Sequence, residues 1–468
     1  MFFFNLTNFK IVMEKPNLSK GTRDFNSTEL YKRNYIIDVI KDNFAKFGFN
    51  PIETPSFEKA DTLLGKYGEE GERLIFKILK SGNFLKDIDS SSISQDNLPN
   101  LTRKIVDKAL RYDLTVPFAR YVVQNQNEIN TPFKRYQIQN VWRADRPQKG
   151  RFREFLQCDA DVIGSKSLMQ EIDFICLFEK VFSDLNLEDC RIKINSRKIL
   201  VAICEIYNCQ EKFSTLINQL DKLDKLDKLD VKNNLLNEGF KNNTIDLIFD
   251  IIDLSSDYYK NQKKLKSIFS SSKIGREGIS EIDFIFSFIS KNKLNKSKLI
   301  FDIGLARGID YYTGIIFEVL PPKNISLGSI AGGGRYDNLT EIFGLKNMSG
   351  IGVSFGLDRL FLVLEELNLL PDFSGNSVKV MFLNFGKEFS YDIINFSNIL
   401  RQNNIKCDFY PDPISIKKQL SYANKNQIPF VILFGDEEKE KKCFALKDMY
   451  SGIQDVLSLE KLVQKLKK

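Results

Sequence analysis

The sequence runs to 468 residues, with 68 Lys plus Arg against 61 Asp plus Glu, a formal net charge of +7 and 43% hydrophobic residues. That length exceeds one ordinary domain and suggests roughly two to four, with the balance of a globular rather than a disordered chain. Histidine is absent, which excludes an imidazole as general base, nucleophile or metal ligand and leaves chemistry to carboxylates, Arg and Lys, hydroxyls, or the substrates themselves.

Seven cysteines occur and none forms a C-x-x-C. The odd count argues against a disulfide framework or a thiolate zinc site and for a reducing, cytoplasmic setting. No metal site is expected. No apolar run reaches membrane-spanning length. The positive charge suits a polyanionic partner without requiring one.

In chain order, residues 1–12 form a Phe-rich extension expected to lack order. It has no basic n-region or cleavage site of a signal peptide, and Met13 reads as an alternative start. The periodicity predicts a helix over 29–47, with Leu30, Ile37, Ile40, Phe44 and Phe47 on its inner face. Gly48 ends it, and Pro51 and Pro55 punctuate an extended stretch. Residues 81–98, rich in Ser, Asp and Asn, predict a loop.

As a strand, 135–144 places Tyr136, Ile138 and Trp142 on one face. Arg135, Gln137, Gln139 and Arg143, with Val141 among them, take the other. Over 155–162 the apolar face carries Leu156, Cys158, Ala160 and Val162, and the polar face Phe155, Gln157, Asp159 and Asp161. The two segments predict an antiparallel hairpin with one greasy and one polar face. Its loop, 145–153, gathers Arg146, Lys149, Arg151 and Arg153, cations suited to phosphate.

Residues 195–297 change character: rich in Lys, Asn and Leu, poor in Gly, and helical in period. Within them 220–230 repeats Leu-Asp-Lys, a period of three that fits neither helix nor strand and reads as slippage in a tolerant surface element. Glycine returns between 304 and 356. Arg307 stands four residues before the pair Tyr311 and Tyr312. Adjacent tyrosines in a strand point to opposite faces, so only one should line a pocket. Three glycines precede Arg335. A strand then leads through Gly356 into a helix with Leu360, Phe361 and Leu364 inward. Arg359 sits in that helix's first turn, a mild cost unless it meets an anion. Neither glycine-rich piece matches a P-loop or a dinucleotide fingerprint. After a linker at 371–375, alternating segments at 378–383, 389–402, 405–410, 415–426 and 430–434 predict a small α/β domain.

Together these segments resemble the class II aminoacyl-tRNA synthetases, specifically the histidyl-tRNA synthetase family. Arg143-Ala144-Asp145, the cationic loop and Arg151 to Phe155 resemble motif 2, and Gly352 to Arg359 resembles motif 3. Two further segments, 305–312 and 331–339, resemble those that mark the histidine member. The resemblance implies an α+β fold: a class II antiparallel-sheet catalytic domain with a helical insertion, plus a C-terminal α/β anticodon-binding domain. Its boundaries would be 13–194 and 298–370 for the two catalytic parts, 195–297 for the insertion and 377–468 for the C-terminal domain.

The same resemblance implies ATP as a substrate with Mg2+, together with L-histidine and tRNA(His), and a homodimer built near 44–55. Asp113, Thr115 and Gln157 would hold the α-amino group, and Asp161 and Tyr312, with Tyr336 as a further candidate, the imidazole; Leu114 and Tyr311 would also belong to the histidine site. Arg143, Phe155 and Arg359 would hold ATP. Arg307 would stand between the substrate carboxylate and the α-phosphate, making Arg307 and Arg143 the catalytic cations. The amino-group loop resembles the eukaryotic form, whereas 146–151 resembles the bacterial one. Rival readings are a non-catalytic, histidine-sensing relative and a synthetase for proline, threonine or glycine. The C-terminal domain and Arg307 argue against the first, and the segment 307–312 against the second.

Overall fold

The computed structural model describes residues 16–86, 88, 98–223, 226–254, 258–308, 311–372 and 378–467. The extension 1–12, Met13, most of the predicted loop at 81–98, residues 224 and 225 of the repeat, 309–310, and 373–375 of the linker lie outside the described residues. The chain divides into two units: one comprises Tyr35–Leu369 with the segment ending at Asp24, the other Leu370–Lys468 with Phe25–Asn34.

The first unit carries strands β1 (Asn50–Pro51), β2 (Phe57–Lys59), β3 (Lys77–Leu79), β4 (Val106–Leu110), β5 (Phe133–Trp142), β6 (Glu154–Ile163), β7 (Cys190–Ser196), β8 (Ser297–Phe301), β9 (Ile315–Leu320), β10 (Ala331–Tyr336) and β11 (Gly350–Gly356). Eight form one sheet in the order β1-β5-β6-β11-β10-β9-β7-β8. Its six central strands pair antiparallel, and β1 and β8 join the edges in parallel. The strands β2, β4 and β3 make a small separate sheet. The predicted hairpin is β5–β6, in the register Arg135 to Asp161, Gln137 to Asp159 and Gln139 to Gln157.

The apolar face of the large sheet is closed by aromatic packing. Phe44, from the helix Ser27–Lys46, lies 5.4 Å from Tyr136 and 6.0 Å from Phe355. Phe178, from the helix Met169–Asp184, lies 5.4 Å from Phe355 and 6.1 Å from Phe317. A reciprocal cap starts the first helix: Asn26 Oδ1 accepts from the Glu29 N–H, and Glu29 Oε2 from the Asn26 N–H. Its buried face is Ile36, Ile40 and Phe44, with Leu30 exposed and Ile37 and Phe47 half-buried. The predicted face was rotated by one position because two neighbouring apolar rows compete and only packing chooses between them.

The polar face is not a wet one. Arg135 and Gln137 are fully buried, more so than Ile138 or Trp142 on the apolar face. Buried Arg111 closes one edge: its Nη1 donates to the Thr54 and Pro55 carbonyls and to Gln139 Oε1, and its Nε to the Asn140 carbonyl.

Between β7 and β8 lie six α-helices among the described residues: Arg197–Ile206, Phe213–Leu220, Lys228–Asn237, Asn242–Leu254, Tyr258–Ile268 and Lys273–Lys291. The predicted boundary at 195 falls inside β7. Gly278 lets the last of these helices approach the first, since a Cβ there would stand 2.9 Å from Ile199.

The second unit carries β12 (Val380–Phe382), β13 (Cys407–Phe409), β14 (Phe430–Leu433), β15 (Phe444–Asp448) and β16 (Gln454–Leu457), in the order β13-β12-β14-β15-β16. The helices Ser390–Gln402 and Ile416–Lys425 alternate with the first three strands, as the pattern predicts. Phe382, Phe434, Phe444 and Leu462 share its core.

Arg335 ties β10 to the helix Met169–Asp184. Its Nε and Nη2 donate to the two Glu171 oxygens at 2.5 and 2.7 Å, and its Nη1 donates to Ser349 Oγ at 2.7 Å. Both partners are buried. Arg335→Ala strands a buried carboxylate, and urea unfolding should show a loss of about 3–5 kcal/mol. A loss below about 1 kcal/mol, the worth of an exposed pair, would contradict the role given to this ion pair.

Candidate active site

A cavity of about 450 Å³ opens on the polar face of the large sheet. Directly opposed residues share a face, so the register sorts its floor into rows. One row runs Arg135, Asp161, Gly352, Gly334. The next runs Gln137, Asp159, Ser354, Gly332, Glu318. The third holds Gln139, Gln157 and Gly356. The glycines make room: a Cβ on Gly332 would strike the Arg307 guanidinium, and one on Gly334 would lie 2.8 Å from the Tyr312 ring.

At the first row, Asp161 is buried and faces Arg135 Nη2 at 2.7 Å. The Tyr336 hydroxyl donates to Asp161 Oδ1 at 2.6 Å. Burial raises the Asp161 pKa, with Arg135 and the Tyr336 hydrogen bond pulling it back. Tyr312 lines the same end.

A second acid, Asp113, precedes the helix Thr115–Gln124. It accepts from the hydroxyls of Tyr67 at 2.9 Å and Tyr311 at 3.1 Å, and from the Val116 N–H at 3.1 Å. Burial raises its pKa too, against those three bonds. Thr115 lines the cavity and hydrogen-bonds with Tyr311. Leu114 does not reach it: its side chain is buried, and its carbonyl accepts from Arg135 Nη2 at 3.2 Å. Gln157 donates to Ser354 Oγ at 3.0 Å, and its Oε1 has no hydrogen-bond partner among the described residues.

Arginines line the same cavity. Arg143 donates its Nε to the Tyr112 carbonyl at 3.0 Å and lies over the rings of Tyr112 and Phe155 at 4.3 and 5.2 Å. Arg359 Nη1 donates to the Ser329 carbonyl at 2.8 Å. Burial lowers its pKa, with Arg151 and Arg143 adding repulsion. Arg307 donates its Nη1 to the Phe317 carbonyl at 3.0 Å. Burial pulls its pKa down, and Tyr312, Glu318, Tyr311 and Asp221 outweigh that and leave it raised. The segment bearing it is anchored by β7 and the helix that follows: Asn195 Nδ2 donates to the Ile303 and Leu305 carbonyls, and Arg197 Nη1 to the Arg307 carbonyl.

In the cationic loop, Arg151 and Arg153 turn inward onto Asp145, whereas Arg146 and Lys149 are exposed. The four cations therefore do not form one cluster. The tyrosine alternation is also corrected. Tyr311 and Tyr312 both line the cavity, with ring centroids 4.9 Å apart. They lie in the turn before β9, where strand alternation does not apply. Sequence reasoning passed over Tyr67 and Glu318. It also read Asp221, which lines the cavity, as part of a surface repeat; Leu226 and Leu229 of that repeat are exposed. No motif or spacing marked these residues.

Asp159 sits between Asp161 and Gln157 and is buried. Burial, with the Asp161 and Asp113 carboxylates, pushes it up to about 7 against Arg135 and a Ser354 hydrogen bond. A carboxyl raised on folding holds its proton longer in the native state, so stability falls as pH rises from the unfolded pKa of about 4 through the folded one. Asp159→Asn removes this loss. Urea unfolding should show the variant gaining on wild type between about pH 5 and pH 8, by a few kcal/mol. A difference independent of pH would contradict the shift.

A family model described as histidyl-tRNA synthetase matches residues 92–360, and one described as anticodon binding domain matches 378–468. A relative from Christiangramia forsetii, named histidine–tRNA ligase, is 52% identical over 454 residues, covering 97% of this chain and 100% of the relative. One of the same name from Flavobacterium johnsoniae is 50% identical over 470 residues, covering 97% and 99%. The crystal structure of histidyl-tRNA synthetase from Nostoc sp. PCC 7120 superposes with a TM-score of 0.76 at 28% identity, covering 97% of this chain and 99% of that one.

Proposed function

The chain belongs to the histidyl-tRNA synthetase family, and from that premise we propose that it joins L-histidine to tRNA(His) through a histidyl-adenylate, releasing pyrophosphate and then AMP. The observation that carries the residue roles is the gathering of both charges in one cavity: Asp113, Asp159 and Asp161 line it together with Arg143, Arg307 and Arg359. The acids suit the cationic and hydrogen-bonding parts of an amino acid. The cations suit its carboxylate and a triphosphate.

In the adenylation step the histidine carboxylate attacks the α-phosphorus of ATP, and pyrophosphate leaves. Two anions must approach, so fixed cations at the meeting point are the main requirement. Arg307 would hold the carboxylate against the α-phosphate, Arg143 the α-phosphate from the far side, and Arg359 the γ-phosphate. Phe155 would lie under the adenine. Magnesium would arrive with ATP as part of the substrate. The carboxylate is already ionised, so this step needs no general base and a chain without histidine can carry it out.

The imidazole would lie between Asp161 and Tyr312, with Tyr336 fixing the Asp161 carboxylate. A pocket built to hydrogen-bond two ring nitrogens rejects apolar analogues, because its own polar groups would be left unpaired. Thr115, Asp113, Tyr311 and Gln157 would surround the α-amino group; Leu114 would act only through its backbone. In this reading the second unit meets the anticodon, with the exposed Lys417, Lys418 and Lys425 as phosphate contacts. Arg146 and Lys149 would face the acceptor end, and two chains would pair as a homodimer in the cytoplasm.

Pyrophosphate exchange tested across the twenty amino acids should respond to histidine alone. Exchange with none would overturn the reading, and a response to another amino acid would overturn the assignment of the pocket. Arg307→Ala should lower histidine-dependent exchange by about a hundredfold or more while tRNA affinity stays within about threefold. Equal loss of both would make Arg307 a structural residue.

A further inference from the structure

Resting on the amino-acid reading above, we propose that Asp159 binds the substrate's α-ammonium group as a second acid beside Asp113, so that the zwitterion lies along one row of the sheet with its ammonium on Asp159 and its carboxylate on Arg307.

Three observations place it there. Asp159 is 3% exposed, lines the cavity, and its Oδ1 has no hydrogen-bond partner among the described residues. A buried carboxylate oxygen left unpaired is costly unless a ligand completes it. Two positions along β6 on the same face, Gln157 Oε1 also lacks a partner. An ammonium offers three donors, and Asp159 Oδ1, Gln157 Oε1 and the Asp113 carboxylate offer acceptors to match.

The charge count points the same way. Arg135 is paired with Asp161 at 2.7 Å and stacks on Phe118 at 4.3 Å. Among the described residues neither Asp113 nor Asp159 has a cation at ion-pair distance, although Arg143 and Arg135 act on them from farther away. An incoming ammonium restores the balance.

The row geometry fits the rest of the molecule. Asp159 opposes Ser354, Ser354 opposes Gly332, and the Arg307 guanidinium lies over Gly332. Two strand spacings separate Asp159 from Gly332, roughly 9–10 Å. An ammonium and a carboxylate on one carbon, each with a hydrogen bond of about 2.8 Å, span a similar length. Asp161 lies one row deeper, at the ring end.

The test compares wild type with Asp159→Asn, using histidine, histidinol (no carboxylate) and imidazolepropionate (no ammonium). In pyrophosphate exchange the variant's KM for histidine should rise about 30-fold, with KM for ATP unchanged within about twofold. Binding of histidinol should weaken in parallel, and binding of imidazolepropionate should not. A histidine KM within about threefold of wild type, or equal weakening of all three ligands, overturns the proposal, the latter because it marks a structural role.

A second measurement follows the proton. The charged groups acting on Asp159 are Arg135, Asp161 and Asp113. With its carboxyl raised to about 7, ammonium binding should expel its proton below that pH. Calorimetry in two buffers of different ionisation enthalpy, at about pH 6.5, should show histidine releasing more protons on binding wild type than on binding Asp159→Asn, with the difference vanishing near pH 8.5. No difference at the lower pH overturns the proposal. Wild type that shows no histidine-dependent exchange sinks the functional reading itself; wild type that exchanges normally beside an unaffected variant sinks only the role of Asp159.

Discussion

The molecule depends on a polar row buried inside an antiparallel sheet. Arg135 and Asp161 meet across β5 and β6 with both side chains essentially removed from water. Such a pair adds little net stability, because desolvation offsets much of the attraction, but losing either partner is costly. It fixes the register of the hairpin, and the register then places Gln137 with Asp159 and Gln139 with Gln157. Tyr336 reaches Asp161 from β10, so the acid is oriented from two sides. The glycines of β10 leave the floor bare enough for Arg307 and Tyr312 to lie on it.

Acids and arginines line one cavity, and that pairing suits the chemistry: acids for an ammonium and a ring, arginines for a carboxylate and phosphates. Because the reaction brings two anions together, fixed guanidinium groups do what a general base cannot. Arg307 is held from behind by Asn195 and Arg197, so its placement is inherited from β7 and the helix that follows. The zero count of histidine is thus no obstacle to adenylation.

Much of this was legible in the residues. Period-two alternation gave both faces of the β5–β6 hairpin, and the alternating pattern after residue 378 gave the first five elements of the second unit. What escaped depended on partners distant in sequence. How deeply the polar face is buried escaped, because nothing local says that Arg111 and the segment 54–55 close its edge. The first helix offered two apolar rows, and only Tyr136 and Phe355 choose Phe44 as the contact. Tyr311 and Tyr312 were read as strand because their neighbours are, yet the strand begins at Ile315. Asp221 was hidden in a repeat whose period suits no regular element, and its place near Arg307 comes from where the helix Phe213–Leu220 ends.

The central claim is that one cavity holds histidine and ATP together and joins them. Rapid mixing of the protein with histidine and radiolabelled ATP, without tRNA, followed by acid quenching at intervals, tests it most directly. A burst of bound histidyl-adenylate approaching one per site, absent when histidine is replaced by any other amino acid, is the predicted result. ATP turnover to free AMP with no bound adenylate, or a burst that does not depend on histidine, would contradict it.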